Sequence, residues 1–128
     1  MRRTDQRRAA TVALYQSDVT GRPVEDLLEG DARPFTRELV EVVERDRPEL
    51  DELISRHAEG WTLDRIAPLE RNILRVALYE LLHREDVPGE VAIDEAIEAA
   101  KELCGADAPS FVNGILGAVY RESGVASR

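Results

Sequence analysis

The sequence predicts an all-α fold of about seven helices in a single domain over residues 1–128. Apolar residues recur at three- and four-residue spacing along almost the whole chain, and the sequence lacks the alternating pattern that is typical of strands. A chain of 128 residues is long enough for one hydrophobic core and too short for two independent domains. Its hydrophobic share of 43% is ordinary for a globular domain.

Proline residues mark the starts of three of the first four predicted helices. The first helix runs from about Thr4, its predicted cap, to about Asp18. The next three open at Pro23, Pro34 and Pro48, because proline is favoured in the first turn of a helix. We expect short loops between these helices.

The second half of the chain contains its most apolar segment. A short helix is expected ahead of Pro68, and the residues 69–82 that follow are apolar enough to predict a helix buried on most sides. Within that helix Arg71, Arg75 and Tyr79 recur four residues apart. This spacing predicts one narrow polar stripe that reaches solvent.

Two amphipathic helices complete the predicted fold. One follows Pro88 and carries acidic residues on its outer face, and the other begins near Pro109. Gly114 and Gly117 lie in the interior of this last helix, where each glycine costs about 1 kcal/mol relative to alanine. The usual compensation for such a glycine predicts another helix packed closely against it.

Charge is distributed unevenly along the chain. The formal net charge is −9, yet residues 1–10 carry Arg2, Arg3, Arg7 and Arg8 against one acidic residue. This pattern predicts a basic N-terminal arm on an acidic body, which repels nucleic acid over most of its surface. Because four arginines contact only a few phosphates, the chain alone is expected to bind nucleic acid weakly.

The sequence does not point to catalysis. His57 and His83 fall in different predicted helices without a cysteine or carboxylate at a metal-ligand spacing, and Cys104, the single cysteine, has no base partner in view. No segment has the glycine spacing of a phosphate-binding loop, and none has the roughly 18 consecutive apolar residues of a membrane span. We therefore expect no enzyme activity, no metal or cofactor, no membrane association and a cytoplasmic location.

The first predicted helix carries a face suited to single-stranded nucleic acid. Thr4, Arg8, Thr11 and Tyr15 share that face at helical spacing. Guanidinium groups bind phosphates, and a phenol ring offers a stacking surface to an unpaired base. The alternative is that Tyr15 belongs to the core with its hydroxyl at the surface, and the pattern leaves both interpretations open.

Four segments of the chain resemble the NusB family. RRAATVALYQSD at Arg7–Asp18 is similar to the first helix of these proteins, and Trp61–Pro88 resembles their central signature. VAIDEAIEAAKELCG at Val91–Gly105 and SFVNGILGAVYR at Ser110–Arg121 resemble their C-terminal signature. The segments stand in the family's order and spacing and span nearly the whole chain.

The resemblance implies two small helical subdomains packed across each other, and a transcription antitermination factor. It implies binding of boxA-type leader RNA of ribosomal RNA operons together with NusE, a ribosomal small-subunit protein. It also implies assembly with the other Nus factors on RNA polymerase. Because some members of the family form homodimers, the resemblance leaves open whether this chain is a monomer or a homodimer.

The resemblance also implies residues that contact RNA or a partner. The candidates for phosphate contacts are Arg2, Arg3, Arg7 and Arg8. Phe111 matches a phenylalanine that stacks on a base, and Asn113 lies near enough to hydrogen-bond a base edge. Tyr15 and Glu70 match positions of the RNA and partner surface, and Asp107 lies in a loop that the family places near RNA.

Two alternatives use the same fold. One is a ribosome-biogenesis factor that acts as an RNA chaperone, and the other is a helical interaction module that does not bind RNA. The antitermination interpretation predicts that RNA and NusE each tighten the other's binding, as thermodynamic linkage requires. The interaction module predicts that NusE binds and that RNA adds nothing.

Overall fold

The structure, a computed structural model that describes residues 2–124, is all-helical, and no residue in that range belongs to a strand. Its five α-helices are α1 (Arg3–Thr20), α2 (Pro34–His57), α3 (Pro68–His83), α4 (Gly89–Leu103) and α5 (Ala108–Ser123). Two short 3-10 helices lie at Val24–Leu27 and Leu63–Arg65. The all-α prediction is confirmed, but the predicted number of about seven helices is wrong, because the structure has five α-helices in the described range. The ends of the predicted domain, residue 1 and residues 125–128, lie outside the described range.

The prediction fails mainly at Pro48, where one continuous helix replaces the expected pair. A proline inside a helix removes a hydrogen bond and commonly costs about 3 kcal/mol. Here the fully buried Leu39, Val43, Leu50 and Ile54 keep one apolar face of α2 continuous across the proline. Burial of that face offsets the lost hydrogen bond. The helix expected at Pro23 is present only as a 3-10 turn.

Helix α1 begins one residue before its predicted cap. Thr4 lies inside the first turn, and its hydroxyl donates a 2.7 Å hydrogen bond to the Glu95 carboxylate of α4. The predicted arm of residues 1–10 is therefore, from Arg3 onward, part of a helix packed on the body of the protein.

Helix α3 is the centre of the molecule and contacts each of the other four α-helices. Residues 72–81 are all buried, which confirms the predicted burial on most sides. The predicted solvent-facing stripe is wrong, because Tyr79 is buried and Arg75 is only 2% exposed. A polar residue in the middle of a bundle needs partners from its neighbours, and α1 and α2 supply them.

A network of buried polar side chains joins α1, α2 and α3. The Arg75 guanidinium donates to Asp51 of α2 at 2.7 Å and to Asp18 of α1 at 2.7 Å. The Asn72 amide also donates to Asp18, at 2.9 Å. Burial alone would raise the pKa of Asp18, but the hydrogen bond from Asn72 and the charge of Arg75 outweigh it and hold that pKa below its usual value.

Close helix approach occurs at a different glycine from those predicted. Gly114 has open space around it, and a Cβ at Gly117 would meet only the Arg121 guanidinium, at 3.3 Å. The prediction of tight packing at this pair is wrong. At Gly89, the first residue of α4, a Cβ would lie 2.3 Å from the ring of Tyr120, whose hydroxyl donates to Glu90.

Alanine at the two positions Gly89 and Gly114 is expected to have opposite effects on stability. Gly89→Ala forces the Tyr120 ring aside and should lower the free energy of unfolding by about 1–3 kcal/mol. Gly114→Ala meets no neighbour and should raise it by about 0.5–1 kcal/mol through helix propensity. Urea unfolding followed by circular dichroism measures both. If the urea midpoints of the two variants shift in the same direction relative to the wild type, the close contact at Gly89 and the open space at Gly114 are contradicted.

No helix within residues 2–124 combines the length and the apolar character that crossing a membrane requires.

Candidate nucleic-acid interface

A surface cleft opens at the end of the molecule where α3 begins, α4 ends and α5 begins. Its volume is about 290 Å³. Its walls are Trp61, Arg65, Ile66, Glu70, Asp107, Ala108 and Phe111. The family resemblance implied Glu70, Asp107 and Phe111 as three separate site residues. The structure brings all three into one cleft. We call these seven residues the aromatic cleft.

Two aromatic rings dominate the aromatic cleft. Trp61 and Phe111 pack edge to face, with ring centroids 6.3 Å apart and planes inclined at 69°. Phe111 is half-buried and rests on the core, whereas Trp61 is 53% exposed. Trp61 and Arg65 were not among the predicted site residues, although a tryptophan directly after a glycine was an available signal.

The segment that carries Trp61 is fastened to the body of the protein. The Trp61 backbone N–H donates to the Ala58 carbonyl at 3.0 Å. The Arg71 guanidinium of α3 donates to the carbonyls of Leu63 and Ile66 at 3.2 and 3.1 Å. These bonds hold the 3-10 helix that follows Trp61, so the exposed ring is presented by an ordered segment.

Acidic groups lie inside and beside the aromatic cleft. Burial raises the pKa of the half-buried Glu70. The pKa of the neighbouring Cys104 thiol is also raised, first by burial and then by the charge of Glu70. Ionised carboxylates only accept hydrogen bonds, so Glu70 and Asp107 are suited to the N–H groups of a base edge rather than to phosphate.

Arg7, a predicted phosphate contact, is buried between α1 and α3. Its guanidinium donates to both carboxylate oxygens of Glu80, at 2.7 and 2.9 Å, and the Glu80 side chain is 1% exposed. Burial would lower the pKa of Arg7, but the hydrogen bonds and charge of Glu80 outweigh burial and raise it. The guanidinium also lies 5.4 Å from the centroid of the Phe35 ring. In this arrangement Arg7 positions α1 and does not face solvent.

The other three arginines that were predicted to contact phosphate face carboxylates at the surface. Arg8 donates to Glu102 of α4 at 2.9 Å, and its side chain is 15% exposed. Arg3 lies 3.4 Å from Asp86, and the exposed Arg2 lies 3.6 Å from an acidic neighbour in its own helix turn. These cations are near the surface, but each already has an anionic partner.

The remaining predicted residues lie on two helices. Asn113 is exposed on α5, two residues beyond Phe111. Tyr15 is half-buried on α1, between Arg8, which reaches the last turn of α4, and Asp18, which reaches the first turns of α3. Tyr15 therefore lies toward the end of the molecule that holds the aromatic cleft.

The described part of the chain contains no group of three or more histidine, cysteine or acidic side chains arranged to hold a metal ion. The two histidines of the sequence analysis each face a glutamate, His57 with Glu122 and His83 with Glu49.

Comparison with known proteins identifies the family. Residues 4–121 match the profile of the NusB family. Transcription antitermination protein NusB of Rubrobacter xylanophilus is 46% identical over 122 residues, which cover 91% of this chain and 88% of that protein. NusB of T. maritima superposes with a TM-score of 0.86 at 36% identity, covering 95% of this chain and 92% of that one.

A further solved structure contains antitermination factors NusB and NusE in complex with double-stranded RNA. A chain of that structure matches with a TM-score of 0.81 at 27% identity, over 95% of this chain and 99% of that one. The similarities extend over nearly the whole chain in both sequence and fold. This chain belongs to the NusB family.

Proposed function

We propose that this protein is a transcription antitermination factor that binds boxA-type RNA of ribosomal RNA operons together with NusE. It then joins the other Nus factors on RNA polymerase in the cytoplasm, a role that needs no catalysis of its own. The observation that carries the proposal is the match over 95% of the chain to a structure of NusB and NusE with RNA. The aromatic cleft adds a surface chemistry that suits unpaired bases.

Each part of the proposed interface has a chemical role. Phe111 stacks on a base, and the exposed Asn113 offers amide donors and acceptors to a base edge. Arg2, Arg3 and Arg8 approach phosphates, while the buried Arg7 holds α1 against α3. Glu70, Asp107 and Tyr15 complete the surface that RNA and NusE share.

The charge distribution explains why a partner protein is needed. The chain carries a net charge of −9, and Arg3 and Arg8, two of the proposed phosphate contacts, already face carboxylates. Phosphate must compete with those carboxylates, so binding by the chain alone is weak. A basic partner such as NusE supplies further cations and is drawn to the acidic surface.

We propose that the two subdomains implied by the family resemblance are grouped by helix. Helices α1 and α2 form one, α3, α4 and α5 form the other, and the Arg75 network joins them. The aromatic cleft belongs to the second subdomain, and most of the arginines belong to the first. RNA that reaches both surfaces therefore bridges the subdomains.

One observation favours the interaction-module alternative. Arg3 and Arg8 face acidic residues of this same chain, as expected of a helix that is only packed and solvated. The aromatic cleft weighs against this alternative, since packing inside the chain does not require an exposed tryptophan beside a phenylalanine.

A titration of fluorescently labelled boxA RNA tests the proposed function. The RNA is titrated with this chain, with NusE and with an equimolar mixture, and a scrambled RNA serves as the control. We expect weak binding to each protein alone and at least tenfold tighter binding to the mixture. The same factor must appear in the affinity of this chain for NusE when RNA is present. If the mixture binds RNA no better than NusE alone, the chain is an interaction module.

A further inference from the structure

The position of Trp61 has no explanation in the packing of the protein. A large apolar side chain gains several kcal/mol when it is buried, yet Trp61 is 53% exposed. The backbone on both sides is hydrogen-bonded, through Ala58 before it and Arg71 after it, so the ring is not exposed by local disorder. An exposed aromatic ring on a fixed segment, beside a second aromatic ring, is suited to contact a ligand.

We infer that Trp61 and Phe111 together hold one unstacked base of the RNA strand, with Trp61 as the second aromatic wall. This inference rests on the proposed function, because it assigns a new residue to the same RNA site. The rings are inclined at 69° rather than parallel. A base can therefore stack on the face of one ring while its edge meets the other, as aromatic groups prefer.

The polar rim of the aromatic cleft supports a base as the occupant. The exposed Arg65 guanidinium is placed to meet the phosphate next to an inserted base. Glu70 can accept hydrogen bonds from N–H groups on the base edge. Burial raises the pKa of Glu70, and no described side chain provides a hydrogen bond or a charge that counters this effect.

An apolar side chain of a partner protein fits the aromatic cleft less well. It would cover Glu70 further and offer no donor to its carboxylate, and a buried acceptor without a partner is costly. A base satisfies that carboxylate and also covers both rings. These contacts favour a nucleobase over an apolar protein side chain as the occupant.

Trp61→Ala tests the inference in the assembly of this chain with NusE and boxA RNA. We expect RNA binding to weaken by about 5- to 150-fold, the range for the loss of one aromatic–base stack, with NusE binding unchanged. Trp61→Phe should retain most of the affinity. Val19→Ala, which trims an exposed apolar residue on α1, serves as the matched control and should change nothing.

A set of boxA RNAs with an abasic site at one position at a time locates the base. At one position the abasic site should weaken binding to the wild-type assembly and cause no further loss with Trp61→Ala. Trp61 is also the only tryptophan of the chain, so its fluorescence reports directly on the aromatic cleft. Full-length RNA should quench this signal, measured against the Trp61→Phe assembly, and RNA that is abasic at that position should not.

The outcomes separate this inference from the proposed function. If Phe111→Ala weakens RNA binding and Trp61→Ala does not, the proposed RNA site stands but Trp61 is not part of it. If neither substitution changes RNA binding, the proposed RNA surface itself is wrong. If Trp61→Ala weakens NusE binding instead, Trp61 is a protein contact and the inference is overturned.

Discussion

Replacing Arg7 with methionine is expected to lower the free energy of unfolding by about 3–5 kcal/mol, the typical cost of breaking a buried ion pair by removing one partner. Arg7 supplies the hydrogen bonds that both Glu80 oxygens receive within residues 2–124, and the Glu80 side chain is 1% exposed. Methionine leaves that carboxylate buried without the two hydrogen bonds and the adjacent charge that Arg7 provides. Arg45→Met, which breaks an exposed pair with Asp46, should change stability by less than about 0.5 kcal/mol.

The double variant Arg7→Met with Glu80→Leu keeps the experiment interpretable if the single variant does not fold. Removing both charges should restore most of the lost stability, because two apolar side chains then pack where the ion pair was. Urea unfolding measures the free energy of unfolding of the wild type, the two single variants and the double variant. RNA binding by the double variant, with NusE present, then tests the role of Arg7. Unchanged affinity means that Arg7 only positions α1, whereas a uniform loss for every RNA sequence means that Arg7 contacts phosphate.

Glu102→Gln is expected to tighten RNA binding by about two- to fivefold. The Glu102 carboxylate accepts a 2.9 Å hydrogen bond from Arg8 at the surface, so phosphate and Glu102 compete for the same guanidinium. Glutamine removes the charge that gives this contact its strength, so Arg8 keeps only the longer pairing with Glu95, at 3.9 Å, and is more available to phosphate. The gain is of the size of one surface ion pair. The slope of log K against log salt should steepen by about 0.7, the value for one more phosphate contact on a single strand.

Glu98→Gln is the matched control for Glu102→Gln. Glu98 lies one turn earlier on α4, has the same side chain and pairs with Lys101 at 3.2 Å rather than with Arg8. Both substitutions change the net charge by one unit, so long-range electrostatics affects them alike. Equal tightening by the two variants would mean that net charge, and not the release of Arg8, controls RNA binding.

The helices could be predicted wherever sequence pattern and packing agree. The starts of α2, α3 and α5 follow from Pro34, Pro68 and Pro109, because proline opens a helix more readily than it continues one. Pro48 breaks this rule, since the apolar face of α2 that spans it is decided by the packing of α3. Local pattern does not contain that information.

The buried ion pairs could not be predicted for a related reason. A periodicity argument assigns every arginine to the solvent side of a helix, so Arg75 and Arg7 were both placed outside. Their true partners, Asp18, Asp51 and Glu80, lie many residues away along the chain. Such a pair becomes visible only when the tertiary structure brings the charges together.

The candidate site could be predicted in part. The family resemblance supplied Glu70, Asp107 and Phe111, and the structure places all three in the aromatic cleft. Trp61 and Arg65 were missed because they lie in the loop and the short 3-10 helix before α3, which are too short for helical periodicity to assign a face. Only the fold brings that segment beside the first turn of α5.

The antiparallel run of α1 along α3 sets the distance between two of the RNA contacts that we propose. Arg3 meets Asp86 just beyond the last turn of α3, whereas Glu70 and the aromatic cleft lie at its first turn, roughly 20 Å away at 1.5 Å per residue. A very short oligonucleotide can occupy only one of these two anchor points. A longer strand tethers one anchor to the other, so that the second contact forms at a high local concentration and strand length itself becomes a determinant of recognition.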